Sequence, residues 1–227
     1  GEFDQTRSVT LTRPSLGTIT TATAGLNGST LDCGPSTTVC TSTYRNGTSV
    51  ELLATPLAGY KFVSWSTCPS GTTSSPCAVT LSTGNLSTAA TFTAKRPFVS
   101  VTKTAAAGGS VTSSPTGISC GTTLTTCQAQ FNALATVTLT ATPASGWAFL
   151  GWTTGPCSGS VATSCGFMVP DDESVTTAST VNFVQIRTLT VTRPTNGTIT
   201  ADTAGYNKNQ IDCGPATAVC SATFLNG

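Results

Sequence analysis

Histidine is absent from the 227 residues, methionine occurs once, and Asp, Glu, Lys and Arg together make up 8% of the chain. Without histidine the commonest general base and metal ligand is missing, which removes Ser-His and Cys-His nucleophiles and histidine-bound zinc. Ordinary soluble domains carry roughly a quarter charged residues. Here the net charge is +1 with no Lys/Arg run, so nothing in the chain would draw it to DNA, RNA or anionic lipid. No stretch approaches the ~20 apolar residues of a transmembrane helix. No secretory leader pattern is present, so an export signal is expected upstream of these residues. No segment carries about 10–12 residues of capped helical periodicity. The sequence therefore reads as non-enzymatic, with no cofactor, no metal site, no nucleic-acid partner and no membrane insertion.

Ser, Thr and Gly fill the space that charge leaves, and ten cysteines stand among them. Cysteine at this density in a weakly charged chain points to an oxidising compartment, where small domains use disulfides in place of buried area. The chain is read as extracellular or cell-surface, with little or no helix. The alternation of Val9 and Leu11 with Ser8, Thr10 and Thr12 has strand period, and the Thr and Val content suits pleated surfaces. An all-β fold of small antiparallel domains is expected, with hairpins at Pro14 to Gly17 and at Asn46-Gly47.

The chain repeats itself. LLATPLAGYKFVSWSTC at residues 52–68 recurs as LTATPASGWAFLGWTTGPC at residues 139–157, with Pro56, Gly59, Tyr60, Phe62 and Trp65 each 87 positions before Pro143, Gly146, Trp147, Phe149 and Trp152. Residues 7–47 recur without a gap 180 positions further on. The organisation expected is a leader at residues 1–6, whose Gly1-Glu2-Phe3 reads as a remnant of cloning, a first repeat domain at 7–97, a second at 98–186, and the first half of a third at 187–227.

The third copy helps with the cysteines. It holds Cys213 and Cys220 but no counterparts of Cys68 and Cys77. Pairing between the early and late couples of a repeat would leave these two over, whereas local pairing leaves none. The expected bonds are Cys33–Cys40, Cys68–Cys77, Cys120–Cys127, Cys157–Cys165 and Cys213–Cys220. Zinc sites prefer C-x-x-C couples, often with His, and these gaps fit poorly.

The aromatic stretch has two readings. Strict alternation places Tyr60 and Phe62 on one face and Val63 and Trp65 on the other. As binding platforms, Tyr60 and Trp147 would stack on sugar rings. As core, the aromatics supply most of the buried area of a small repeat, and this reading is preferred, with Trp65 and Trp152 as core and Tyr60 and Trp147 as the partly exposed, ligand-facing pair. Asp171-Asp172-Glu173 lacks the alternating ligands of a calcium loop and reads as a solvated turn. The sequons at Asn27, Asn46, Asn85 and Asn196 are what chance gives in a Ser/Thr-rich chain.

Ala54-Thr55-Pro56, Gly59, Phe62 and Trp65, with Ala141-Thr142-Pro143, Gly146, Phe149, Gly151 and Trp152, resemble the divergent internalin B-repeat family of bacterial surface and secreted proteins. Ser64 stands where that pattern has Gly. The resemblance implies small β-domains of β-grasp-like or Ig-like build, strung in extracellular arrays, and no catalytic residues. A stalk, spacer or adhesive segment of a bacterial surface or secreted protein is the function expected, with neighbouring repeats or another copy of the chain as partners and surface glycan or a host protein as possible ligands. The alternatives are a filament subunit assembled by strand exchange between incomplete repeats and a glycan-binding accessory module of a secreted hydrolase.

Overall fold

The structure is a computed structural model that describes residues 5–123, 125–206 and 208–226. Gly1, Glu2, Phe3 and Asp4, read above as leader, lie outside the described residues. In the same stretch the Asn46 N–H donates to the Gln5 carbonyl at 2.8 Å, and Thr6 opens the first strand. The chain forms two compact units, one running up to Arg96 and including Asn132–Leu134, the other comprising Pro97–Phe131 and the residues from Ala135 onward. No helix occurs among the described residues.

The first unit contains β1 (Thr6–Leu11), β2 (Gly17–Thr20), β3 (Asp32–Cys33), β4 (Thr38–Val39), β5 (Thr41–Arg45), β6 (Ser49–Pro56), β7 (Tyr60–Trp65), β8 (Cys77–Thr80), β9 (Leu86–Thr88) and β10 (Ala90–Ala94). One sheet has the order β4-β3-β2-β6-β8; facing it are β5-β1-β9 and the pair β10-β7. Val9, Leu11, Tyr44, Trp65 and Phe92 from the second group share one core with Ile19, Val50, Leu52, Ala54 and Val79 from the first. This is a two-layer sandwich, in which each sheet buries its apolar face against the other. In β6, Val50, Leu52 and Ala54 point inward while Glu51, Leu53 and Thr55 are exposed, as alternation requires.

Two expected hairpins do not form. β1 pairs with β5 and β9, and β2 with β3 and β6, so the turn at Pro14 carries the chain across the sandwich. The Asn46-Gly47 turn does the same between β5 and β6, with Gly47 at φ +85. Turn residues dictate a local reversal of direction, and a sandwich can use that reversal to change sheets. One pairing is also parallel: β9 lies alongside β1, Val9 opposite Leu86.

The second unit repeats the plan with β11 (Phe98–Lys103), β12 (Gly109–Ser114), β13 (Ser119–Cys120), β14 (Thr125–Thr126), β15 (Gln128–Gln130), β16 (Thr136–Pro143), β17 (Trp147–Thr154), β18 (Ser164–Met168) and β19 (Thr176–Thr190). Its sheets are β14-β13-β12-β16-β18 and β15-β11-β19-β17, with β11 and β19 parallel. β19 is 15 residues long and runs on from the second copy into the third. The third copy adds β20 (Ile199–Thr200), β21 (Asp212–Cys213), β22 (Ala218–Val219) and β23 (Ser221–Leu225), and β23 pairs with the far half of β19, Arg187 opposite Phe224.

Candidate functional site

The aromatic strand is built around a bulge. Along β7 and β10, Trp65 lies opposite Ala90, Ser64 opposite Thr91 and Phe62 opposite Phe92, so Val63 has no partner in the ladder. The extra residue shifts the alternation by one. Phe62 and Trp65, assigned to opposite faces by strict period, share the inner face with ring centroids 5.5 Å apart, and Val63 is turned out and exposed. The second copy does the same at Leu150, placing Phe149 and Trp152 5.9 Å apart. Gly151 takes φ +137 there, while Ser64 holds the equivalent place without positive φ.

Each tryptophan also ties down the cysteine loop that follows it. Trp65 donates its backbone N–H to the Thr72 carbonyl at 2.7 Å and its indole N–H to the Ser74 carbonyl at 2.9 Å. Trp152 donates in the same way to Ser160 and Ala162, both at 2.9 Å. Burying an indole without a partner for its N–H would cost about 1–3 kcal/mol, and the loop carbonyls remove that cost. The loops are closed by Cys68–Cys77 and Cys157–Cys165. The other three disulfides, Cys33–Cys40, Cys120–Cys127 and Cys213–Cys220, each clip a seven-residue separation with Cα atoms 4.6–4.7 Å apart. Arg13 braces the first of these loops, donating from Nε to the Gly34 carbonyl at 2.6 Å and from Nη2 to the Pro35 carbonyl at 2.8 Å.

Tyr60 and Trp147 begin β7 and β17 in their respective units, and both are half-buried. Each closes the preceding Pro-to-Gly turn by donating its N–H, Tyr60 to Leu57 and Trp147 to Ala144, both at 3.0 Å. Trp147 packs against the core of its unit.

Asp172 and the sequon asparagines Asn46 and Asn85 have local structural partners. Asp172 Oδ1 accepts from the Ser174 N–H at 2.9 Å and from its hydroxyl at 2.7 Å, a self-closed turn. Asn46 accepts from Arg7 Nε at 3.0 Å and Asn85 from the Ser8 N–H at 2.9 Å, so both side chains brace β1. Among the described residues no group of three or more His, Cys, Asp or Glu side chains could hold a metal ion. A cleft of about 460 Å³ in the first unit is lined by Thr20, Thr21, Ala22, Glu51, Leu53 and Pro76, a single carboxylate without an acid-base partner.

Sequence reasoning missed one fitted contact. A Cβ on Gly17 would lie 2.5 Å from the Phe92 ring, and one on Gly109 would lie 2.9 Å from the Phe183 ring. In both full copies the glycine that opens the second strand is the seat of a phenylalanine from the last strand. The recurrence of Gly17 and Gly109 with Phe92 and Phe183 was the available signal.

The profile of the divergent InlB B-repeat domain matches residues 18–96 and again residues 99–186. No curated protein matches the chain in sequence. Among solved structures, the Bacillus anthracis TIE protein is similar over 99% of this chain and 44% of its own, at 10% identity and a TM-score of 0.43, so the chain spans less than half of that protein. The minor pilin GBS52 of Streptococcus agalactiae is similar over 83% of this chain and 99% of its own, at 9% identity and TM-score 0.29. The shaft pilin SpaA of Lactobacillus rhamnosus GG is similar over 78% and 98%, at 12% identity and TM-score 0.25. With two matched copies covering most of its length, the chain belongs to the divergent InlB B-repeat family.

Proposed function

We propose that the chain is a non-enzymatic extracellular repeat region serving as a stalk, spacer or adhesive segment of a bacterial surface or secreted protein. The observation that carries this reading is that each full copy closes its own core and its own two disulfides, so that a copy is a self-contained module. Modules that need no distant partner add length without adding new folding problems. Local disulfides and a weakly charged, Ser/Thr-rich composition suit a chain exposed to proteases and to an oxidising medium. Small-angle scattering on the 227-residue chain tests the stalk. An elongated particle supports it, and a compact globule overturns it.

The glycan-binding alternative rests on the partial exposure of Tyr60 and Trp147 at the same position in both copies. Titration with bacterial and host polysaccharides, following tryptophan emission, separates it from a plain spacer. A response lost in Trp147→Ala supports an adhesive role, and no response to any glycan leaves the spacer.

A further inference from the structure

One cleft of the first copy has a chemistry that the second copy lacks. It lies on the outer face of β6, with a volume of about 460 Å³, between β2 and the start of β8. Cross-strand pairs place its walls. Asp32 of β3 lies opposite Thr20 of β2, and Thr20 lies opposite Leu53 of β6. Directly opposed residues share a face, and since Ile19 and Leu52 point into the core, this row points outward. On the other side of β6, Cys77 lies opposite Leu52, which brings Pro76 beside Leu53. Leu53 is 48% exposed, a large apolar side chain left open to water between two strands. Glu51, two residues back on the same face, supplies a carboxylate, and among the described residues no hydrogen bond or ion pair engages it.

Charge is sorted between the two layers of this unit. Asp32 and Glu51 are its only acidic side chains among the described residues, and both stand on this sheet. Its basic residues, Arg7, Arg13, Arg45, Lys61, Lys95 and Arg96, all lie outside the strands of this sheet. A unit with an excess of positive charge thus gathers its negative charge around one cleft. The second copy has the same strands with other residues: Ser119, Thr138, Thr140 and Ser164 stand where the first has Asp32, Glu51, Leu53 and Pro76. Those positions offer hydroxyls, with neither a carboxylate nor an apolar floor.

We propose that this cleft is a binding site for a small organic ammonium ion with an apolar body. The body lies on Leu53 and Pro76, where it removes exposed apolar surface from water. The ammonium group meets the Glu51 carboxylate, and Asp32, one strand beyond Thr20, adds to the attraction. The same two carboxylates repel an anion of equal size. The site belongs to the first copy alone and does not rest on the stalk reading, which scattering tests separately.

The test is a titration of the whole chain with phenethylammonium, followed by amide chemical shifts, alongside the neutral phenethyl alcohol and the anionic hydrocinnamate. Expected is saturable binding of the cation in the millimolar range usual for so small a ligand, with shifts at residues 20–22 and 51–53 and none at 112–114 and 138–140. Affinity should fall from cation to alcohol to anion. Glu51→Gln should weaken binding of the cation about fivefold and leave the alcohol unchanged. Leu53→Thr, which installs the second copy's residue, should weaken cation and alcohol alike, on the order of tenfold. Both side chains are exposed in β6, and unchanged amide shifts in β1 and β5 certify that the variants are folded. Absence of saturable shifts at residues 20–22 and 51–53 overturns the proposal. Equal binding of the three compounds overturns it too, as do variants that bind the cation like the parent or matching shifts in the second copy.

Discussion

The indole N–H of Trp152 donates to the carbonyl of Ala162 at 2.9 Å, across the loop that Cys157 and Cys165 close. The same bond joins Trp65 to Ser74 in the first copy. The tryptophan is therefore both the largest fully buried side chain of its copy and the peg on which its second disulfide loop hangs. Trp152→Phe keeps most of the ring and orphans the Ala162 carbonyl, and is expected to cost about 1–3 kcal/mol. Trp152→Ala also opens a cavity and should cost about 3–5 kcal/mol. Urea unfolding of the two variants against the parent checks both values, and a Trp152→Phe variant as stable as the parent would show that the indole bond contributes nothing.

Loss of a clip should act unequally along the chain. In the chain-entropy model each seven-residue separation is worth about 2.5 kcal/mol. In the first copy that loss falls on a core that includes Trp65, Tyr44, Ile19 and Leu52. In the third it falls on a cluster whose buried members are Ile211, Cys213 and Ala222. The Cys33→Ser/Cys40→Ser pair should therefore lower the stability of the first copy and leave it folded, whereas Cys213→Ser/Cys220→Ser should unfold residues 199–220. Limited proteolysis under native conditions reads the outcome as cleavage confined to that segment.

Alkaline pH should single out the first copy. Burial pushes the Tyr44 phenol above its ordinary value of 10.0, with the Ser42 hydroxyl offsetting part of the rise. The folded state thus holds this proton more tightly than the unfolded chain does. Its contribution is fully present below pH 10.0 and is lost as pH rises through the raised folded value. The equivalent residues, Phe131 and Phe224, have no proton to lose. Tyr44→Phe should flatten the alkaline fall in stability of the first copy, and unfolding monitored between neutral pH and strongly alkaline pH checks it.

Much of this architecture was legible from period and spacing, and what was not has a physical cause. Strand positions such as Val9, Leu11, Val50 and Leu52 follow from alternation, since an inward residue every second position is all that a half-buried strand requires. The common face of Phe62 and Trp65 does not follow, because one unpaired residue at Val63 reverses every count beyond it, and Ser64 in place of glycine leaves no mark of the bulge. Sheet membership was equally hidden. Pro14 and Asn46-Gly47 announce a turn, and whether the chain returns to the same sheet or crosses to the facing one depends on cores that no local motif encodes. Tyr60 and Trp147 were expected to be the partly exposed aromatics, and both are half-buried; whether glycan touches them rests on the titration above.

The junction between the second and third copies supplies the last prediction. Arg187 stands in the middle of β19, opposite Phe224, in the place that Pro97 holds where the second copy begins. The Asn226 N–H donates to the Gln185 carbonyl at 2.7 Å and the Val191 N–H to the Cys220 carbonyl at 2.9 Å. The two-residue alternation of an antiparallel ladder then directs the Arg187 N–H at the Phe224 carbonyl. A proline there removes that donor, and β19 divides where β10 and β11 are already divided by Lys95-Arg96-Pro97. Tyr206, whose hydroxyl donates to the Phe149 carbonyl at 3.4 Å, is a second tie between the third copy and the second. Arg187→Pro should therefore loosen β23 without unfolding the core around Trp152, and Arg187→Pro with Tyr206→Phe should loosen it further. Hydrogen exchange at residues 221–225 is the measurement: protection should fall in the single variant and fall again in the double, while the amides of β17 keep theirs.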